Sequence, residues 1–168
     1  MHATVSTNFD SFWHHEGEAH LINHCLVEGV RQFKRMFIAY KPCIDGFKYC
    51  KPVLYVDGTF LYGKYKSVLL TAEAVDGNNA ILHVAFALVE KENKDNWEYF
   101  MSMLQSSICN GRDDICVISD RHISIKHAMK QPTWRAHPHR YCLRHVVSNY
   151  NTKFKNAQMK NIIEKAGM

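Results

Sequence analysis

The sequence predicts an α/β fold on one mixed sheet, three antiparallel strands followed by parallel strands, with flanking helices. Three observations lead there. Short apolar, β-branched runs recur between residues 52 and 89 with turn signals between them. A stretch of helical period follows at residues 95–104. A further apolar run, Ile115-Cys116-Val117-Ile118-Ser119, comes only after that helix, as a crossover to a parallel strand requires. The chain has 168 residues, 46% hydrophobic and 22% charged, which is room for one domain with a real core.

At the start, Phe9-Asp10-Ser11-Phe12-Trp13-His14-His15 carries aromatic weight without a clear period. Glu18 to Tyr40 reads as a helix, because Leu21, Cys25, Val30, Phe33 and Phe37 fall near helical spacing and Pro42 can end it. Cys43-Ile44-Asp45-Gly46 reads as a turn. Strands are expected over Pro52 to Phe60, Lys66 to Ala74 and Ile81 to Val89. Tyr62-Gly63-Lys64 separates the first two, and Asp76-Gly77-Asn78-Asn79, a strong hairpin signal, the second two. Asp95 is the expected N-cap of a helix that places Trp97, Phe100, Met101 and Leu104 on one side, against the sheet. Asn110-Gly111-Arg112-Asp113 ends it, and Asp114 to Ser119 forms the fourth strand. His122 to Lys130 reads as a short helix, His139 to Cys142 as a short fifth strand, and Leu143 to Ala166 as helix with a break near Asn149-Asn151. The resulting order, β-β-β-α-β-α-β-α, is that of the ribonuclease H-like fold.

A net charge of +5 allows polyanion binding, with basic clusters at Arg31 to Arg35, Lys64 to Lys66 and Lys153 to Lys165. No stretch approaches the roughly 18 apolar residues that span a bilayer, and Met1-His2-Ala3-Thr4-Val5-Ser6 lacks the marks of a signal peptide. An intracellular protein without a membrane partner is expected. The six cysteines, Cys25, Cys43, Cys50, Cys109, Cys116 and Cys142, form no CxxC pair and are expected as reduced thiols, with Cys116 in the core.

Asp57 and Asp120 carry the candidate chemistry. Each stands at the end of an apolar run, and a right-handed crossover can set their two strands side by side. Two carboxylates in one cleft repel unless a cation lies between them, and Mg²⁺ in such a cleft serves phosphoryl transfer. Two plainer readings remain open: Asp57-Gly58 as a turn, and Asp120 as cap of a helix from Arg121 to Lys130. Cys142 and His145, three apart on a helix, could give two zinc ligands but lack further paired ligands, so a packed thiol and a cleft-ordering histidine are the alternative. His122 borders the cleft. Lys64 and Lys66 are candidate contacts to a DNA backbone. His14, His15, His20 and His24 have no acidic or cysteine company, although His20 and His24 would lie one helical turn apart. Cys43 and Cys50 are too widely spaced for a knuckle. No segment reads as a base-recognition helix or a stacking platform.

Phe37-Ile38-Ala39-Tyr40-Lys41-Pro42-Cys43-Ile44-Asp45-Gly46-Phe47, followed by Pro52-Val53-Leu54-Tyr55-Val56-Asp57-Gly58-Thr59-Phe60-Leu61-Tyr62-Gly63-Lys64-Tyr65, resembles the opening of the transposase domain of Mutator-like elements, plant type. Leu69-Leu70-Thr71-Ala72, Ala85-Phe86-Ala87-Leu88-Val89-Glu90-Lys91-Glu92-Asn93, Trp97-Glu98-Tyr99-Phe100, Ser119-Asp120-Arg121-His122 and Arg140-Tyr141-Cys142-Leu143-Arg144-His145 resemble later motifs of that family, in its order. The resemblance implies a ribonuclease H-like domain with an Asp-Asp-Glu triad that uses Mg²⁺ or Mn²⁺, cuts and joins DNA, and works in the nucleus. Asp57 and Asp120 match the first two acids, as catalytic residues and metal ligands, and zinc is not expected. The third acid has no match: Glu164 comes too early and reads as a solvated helix residue. Residues 1–32 are then a helical or irregular lead-in, and residues 33–168 a C-terminally truncated catalytic domain, ending inside the family's helical insertion and weak or inactive alone. DNA is the implied partner, with a homo-oligomer left open. The alternative is a domesticated, DNA-associated transcriptional regulator, which would not need the acids.

Overall fold

Buried and half-buried positions alternate along Ser67–Val75 without a break, the mark of a strand paired on both sides and covered on one face. The computed structural model describes residues 11–22 and 25–166. Its seven strands are β1 (Phe12–Ile22), β2 (Cys25–Ala39), β3 (Val53–Leu61), β4 (Ser67–Val75), β5 (Ile81–Val89), β6 (Cys116–Ser119) and β7 (His139–Tyr141). Its helices are α1 (Lys41–Phe47), α2 (Lys94–Ser107), α3 (Ile123–Ala128), α4 (Leu143–Phe154) and α5 (Ala157–Ala166). All seven strands lie in one sheet, ordered β1-β2-β5-β4-β3-β6-β7. The β3/β6 and β6/β7 pairs are parallel and the others antiparallel. A mixed sheet with flanking helices is therefore present, and the three expected strands between residues 52 and 89 fall within a residue or two of their expected ends.

The β4–β5 turn is held by Asp76, whose Oδ1 accepts from the amides of Asn78 and Ala80, while Asn79 takes a positive φ of 66° that Asn tolerates better than most residues. On the sheet face formed by Leu54, Val56, Leu70, Ala72 and Val89, α2 lays down Trp97, Phe100 and Leu104, all fully buried. The apolar stripe expected for this helix is the one that packs. Its N-cap is Asn93, not Asp95: Asn93 Oδ1 accepts from Asn96 N at 2.9 Å, and Asp95 lies in the first turn. Trp134 closes the far side, its indole Nε1 donating to the Met101 carbonyl at 3.0 Å.

The N-terminal third differs from expectation. Among the described residues Glu18 to Tyr40 contains no helix; β1 and β2 form a long antiparallel hairpin there. Of the residues at helical spacing Phe37 is buried, whereas Cys25, Val30 and Phe33 are exposed. Phe37 and Ala39, both fully buried, are two apart, the strand period. Phe37 packs edge-on to Phe12 and against Phe100, and Arg35 bonds Glu16 at 2.7 Å while its guanidinium covers the Tyr99 ring. Where a helical or irregular lead-in is expected over residues 1–32, the residues described from Phe12 on are strand. His24, Phe9 and Asp10 lie outside the described residues, and the helical-turn argument for His20 lapses because His20 is on β1. Pro42 opens α1 rather than ending a helix, since an N-terminal helical turn does not need its missing N–H, and the expected turn at Cys43 to Gly46 lies inside α1. Near the C-terminus, the helix breaks at Lys155, in the left-handed conformation with φ 50°, a few residues beyond the expected place. Cys116 is half-buried, not core: its side chain faces away from the strand face that carries buried Val117. Among the described residues no helix is long and apolar enough to cross a membrane.

Candidate functional site

Asp57 lies within β3, paired with Thr71 of β4, and Gly58 pairs with Leu70. The turn reading of Asp57-Gly58 is thus overturned: strand pairing continues to Leu61. On its other side β3 pairs with β6 in parallel, Tyr55 with Ile118. Carrying that register two residues on sets Asp57 level with Asp120. The β6–β7 register, Ser119 with Tyr141, likewise sets Asp120 level with Cys142, and the Cys142 amide bonds the Ser119 carbonyl at 2.7 Å. Neighbouring strands lie about 4.8 Å apart, and residues at one level of a parallel pair lean to the same face. The parallel pairing thus puts the strand that carries Asp57 beside the strands that lead into Asp120 and Cys142, on the carboxyl side of β6 and β7, where open α/β sheets carry their crevices.

A cavity of about 270 Å³ opens beside them, lined by Tyr55, Asp57, Thr71, Glu73, Ile118, Cys142, Arg144 and His145; Asp120 is not among the lining residues. Helix α4 aims His145 inward, with Nε2 3.7 Å from Asp57 Oδ2, while its buried Nδ1 has no hydrogen-bond partner. Asp57 Oδ1 accepts from the Gly58 amide at 2.9 Å. Asp120 Oδ1 accepts from the His122 amide at 2.9 Å, so it tightens the turn ahead of α3; the N-cap position itself is His122, two residues on, and Asp120 is not the helix cap. The Ser119 hydroxyl donates to the Asp120 carbonyl at 2.7 Å and lies 2.9 Å from His139 Nε2. Burial holds the His139 imidazole below its ordinary pKa, with Lys126 and Arg140 adding to the effect.

Two carboxylates near the site escaped the sequence reading. Glu73 lines the cavity, its Oε1 3.2 Å from His83 Nδ1. Glu92 lies on the opposite face of β3, against Gly58; its Oε1 accepts from Trp97 Nε1 at 3.0 Å and faces His122 Nδ1 at 3.5 Å. His122 is therefore turned to Glu92. Lys64 and Lys66 stand exposed in the β3–β4 turn. His14 Nδ1 lies 2.9 Å from the Tyr99 hydroxyl, and His15 stacks on Trp13, far in sequence from the carboxylates. Glu164 stands on α5, 3.7 Å from Lys160.

A family model, the MULE transposase domain, matches residues 53–149, more than half of the chain. The chain belongs to the MULE transposase family. The matched span of this MULE domain runs from the first residue of β3 into α4 and contains Asp57, Glu92, Asp120, Cys142 and His145. No curated protein matches the chain. Among the described residues no three His, Cys, Asp or Glu side chains converge as a fully protein-made metal site needs. A Mg²⁺ ion needs fewer protein ligands, being held by one or two carboxylates while waters and substrate phosphate complete its shell, and carboxylates are the donor type that Asp57 and Asp120 would offer it.

Proposed function

We propose that this MULE domain is the catalytic region of a DNA transposase, with Asp57 and Asp120 as metal-holding catalytic acids. The observation that supports the proposal is the parallel β3–β6 pairing, whose register, continued two residues past Tyr55 and Ile118, would set the two acids level. The order β5-β4-β3-β6-β7, three antiparallel strands continued by two parallel ones, supports assigning it to the ribonuclease H-like fold, with residues 33–168 belonging to the catalytic region. Mg²⁺ or Mn²⁺ bound there would offset the repulsion of the carboxylates and stabilise charge on a phosphodiester in transit. His145 orients Asp57 from its second oxygen, and the Asx-type turn at Asp120 fixes that carboxylate to the start of α3. DNA is the partner and the nucleus the site of action. A DNA-associated regulator built on the same domain would use neither carboxylate, and the retention of both favours the enzyme.

The test replaces the native cation with Fe²⁺ and ascorbate, which cleaves the backbone near a bound ion. Cuts near residues 57 and 120 that Mg²⁺ competes away, and that vanish in Asp57→Asn without a change in unfolding midpoint, are expected. A half-exposed side chain such as Asp57 changes stability by less than about 0.5 kcal/mol when replaced isosterically. Absence of localised cleavage in the parent, or an unchanged pattern in Asp57→Asn, overturns the site.

A further inference from the structure

Beyond Asp57, β3 runs out past the helices that cover the sheet. Thr59 through Lys66 are all exposed, and within this stretch stand Phe60 (58% exposed), Tyr62 (93%) and Tyr65 (77%). Tyr62 and Tyr65 stand on the turn itself and Phe60 near the end of β3 just before it; exposed rings gathered so closely mark a binding surface. The same turn carries Lys64 and Lys66. Neither has an acidic partner among the described residues, and no Asp or Glu occurs between Gly58 and Ala72. The Lys64 ammonium lies 5.3 Å from the Tyr65 ring centre. On the other side of Asp120, Tyr141 at the end of β7 is 48% exposed, with Lys126 Nζ 5.4 Å from its ring centre. Rings interleaved with lysines thus flank the two carboxylates on both sides.

We infer that the β3–β4 turn is a stacking platform for unpaired nucleotides of a DNA strand whose scissile phosphate lies at Asp57. The inference rests on the proposed transposase reading and names the form of DNA the site takes. Charge selects the partner: lysines without acids suit a polyanion. The rings select the form, because an aromatic side chain can stack only on a base whose face is free, at a strand end or in an unpaired stretch. Tyr62 is five residues beyond Asp57, about 17 Å at a strand's rise of about 3.4 Å per residue. A strand in duplex DNA covers that distance in about five nucleotides at about 3.4 Å each and an extended unpaired strand in fewer, so the platform holds the strand a few nucleotides from the cleaved bond.

The test is fluorescence anisotropy with the full chain in EDTA, so that binding is read without the metal. The probes are a blunt duplex and the same duplex with a six-nucleotide single-stranded extension. The parent is expected to bind the extended probe about tenfold or more tighter. Tyr62→Ala/Tyr65→Ala should abolish that preference, Tyr62→Phe/Tyr65→Phe should keep it, and Lys64→Ala/Lys66→Ala should weaken both probes and lower the salt slope by about two. Equal binding of both probes by the parent, or a preference that survives the tyrosine-to-alanine pair, overturns the platform while leaving the transposase reading standing. Failure to bind either probe overturns both. Tyr62-dependent sedimentation with anionic vesicles, without a preference for the extended probe, would assign the turn to a lipid surface and overturn the inference.

Discussion

Gly58 follows the first candidate acid, and the structure shows what its missing side chain makes room for. A Cβ built there would lie 3.3 Å from Glu92 Oε1, 3.3 Å from Leu70 Cδ2 and 3.4 Å from Trp97 Cζ2. Leu70 and Trp97 are fully buried, and the Glu92 carboxylate is pinned by the Trp97 indole, so none of the three yields freely. Overpacking of this kind costs about 1–3 kcal/mol. Loss of glycine's freedom in the unfolded chain returns about 0.4–1 kcal/mol. Gly58→Ala is therefore expected to destabilise by about 1 kcal/mol, about 2–4 °C in melting temperature for a domain of this size. Gly58→Val, with two further carbons in the same space, should cost clearly more. Urea unfolding followed by far-ultraviolet circular dichroism measures both. The mechanism has a second handle: Glu92→Ala removes one of the three contacts but strands the Trp97 N–H, at about 1–3 kcal/mol. In the double variant the two costs should overlap, with a coupling of at least about 0.5 kcal/mol. A Gly58→Ala protein as stable as the parent, or costs that simply add, would refute this account of the Asp57-Gly58 step.

Two further outcomes are expected. Because Asn93 rather than Asp95 accepts from the Asn96 amide, Asn93→Ala should cost about 1 kcal/mol in unfolding free energy and Asp95→Ala less than half of that; the reverse order would contradict the observed cap. The folded His139 has its pKa below the ordinary 6.5 because burial disfavours its charged form. The unfolded chain then binds the proton more readily, so the stability this residue contributes is present above about pH 6.5 and is lost as pH falls through the folded value. The unfolding midpoint of the parent should fall more between pH 7.5 and pH 5 than that of His139→Gln, and parallel pH profiles would refute the assignment.

What the sequence revealed depended on contrast between faces. The strands from β3 to β5 were legible because Asp76-Gly77-Asn78-Asn79 marks a turn and one face of each strand is buried. The stripe on α2 was legible because the sheet covers one side of it. The β1–β2 hairpin was not, because Val30 and Phe33 sit on a ribbon exposed on both faces, where apolar residues carry no strand period (48% and 42% exposed). The side-by-side placement of β3 and β6 followed from strand order and a crossover rule. Glu92 did not follow from any spacing, since its place depends on the indole of Trp97 and the gap at Gly58. The lysines of the β3–β4 turn were legible as phosphate contacts, whereas its rings were not, because the exposure of Phe60, Tyr62 and Tyr65 is set by the fold.

The parallel pairing of β3 with β6 also has a kinetic consequence. Strands β3, β4 and β5 are joined by short turns and can zip locally within microseconds. β6 must travel back across α2 and enter the sheet next to β3, a closure over a long stretch of chain. That seam joins β3, which carries Asp57, to β6, which leads into Asp120, so under the proposed site like charge opposes its docking. A divalent cation that prefers the closed seam would then act on folding as a ligand of the native state. The acids of the site would report, through the cation dependence of the refolding rate, when the sheet is complete.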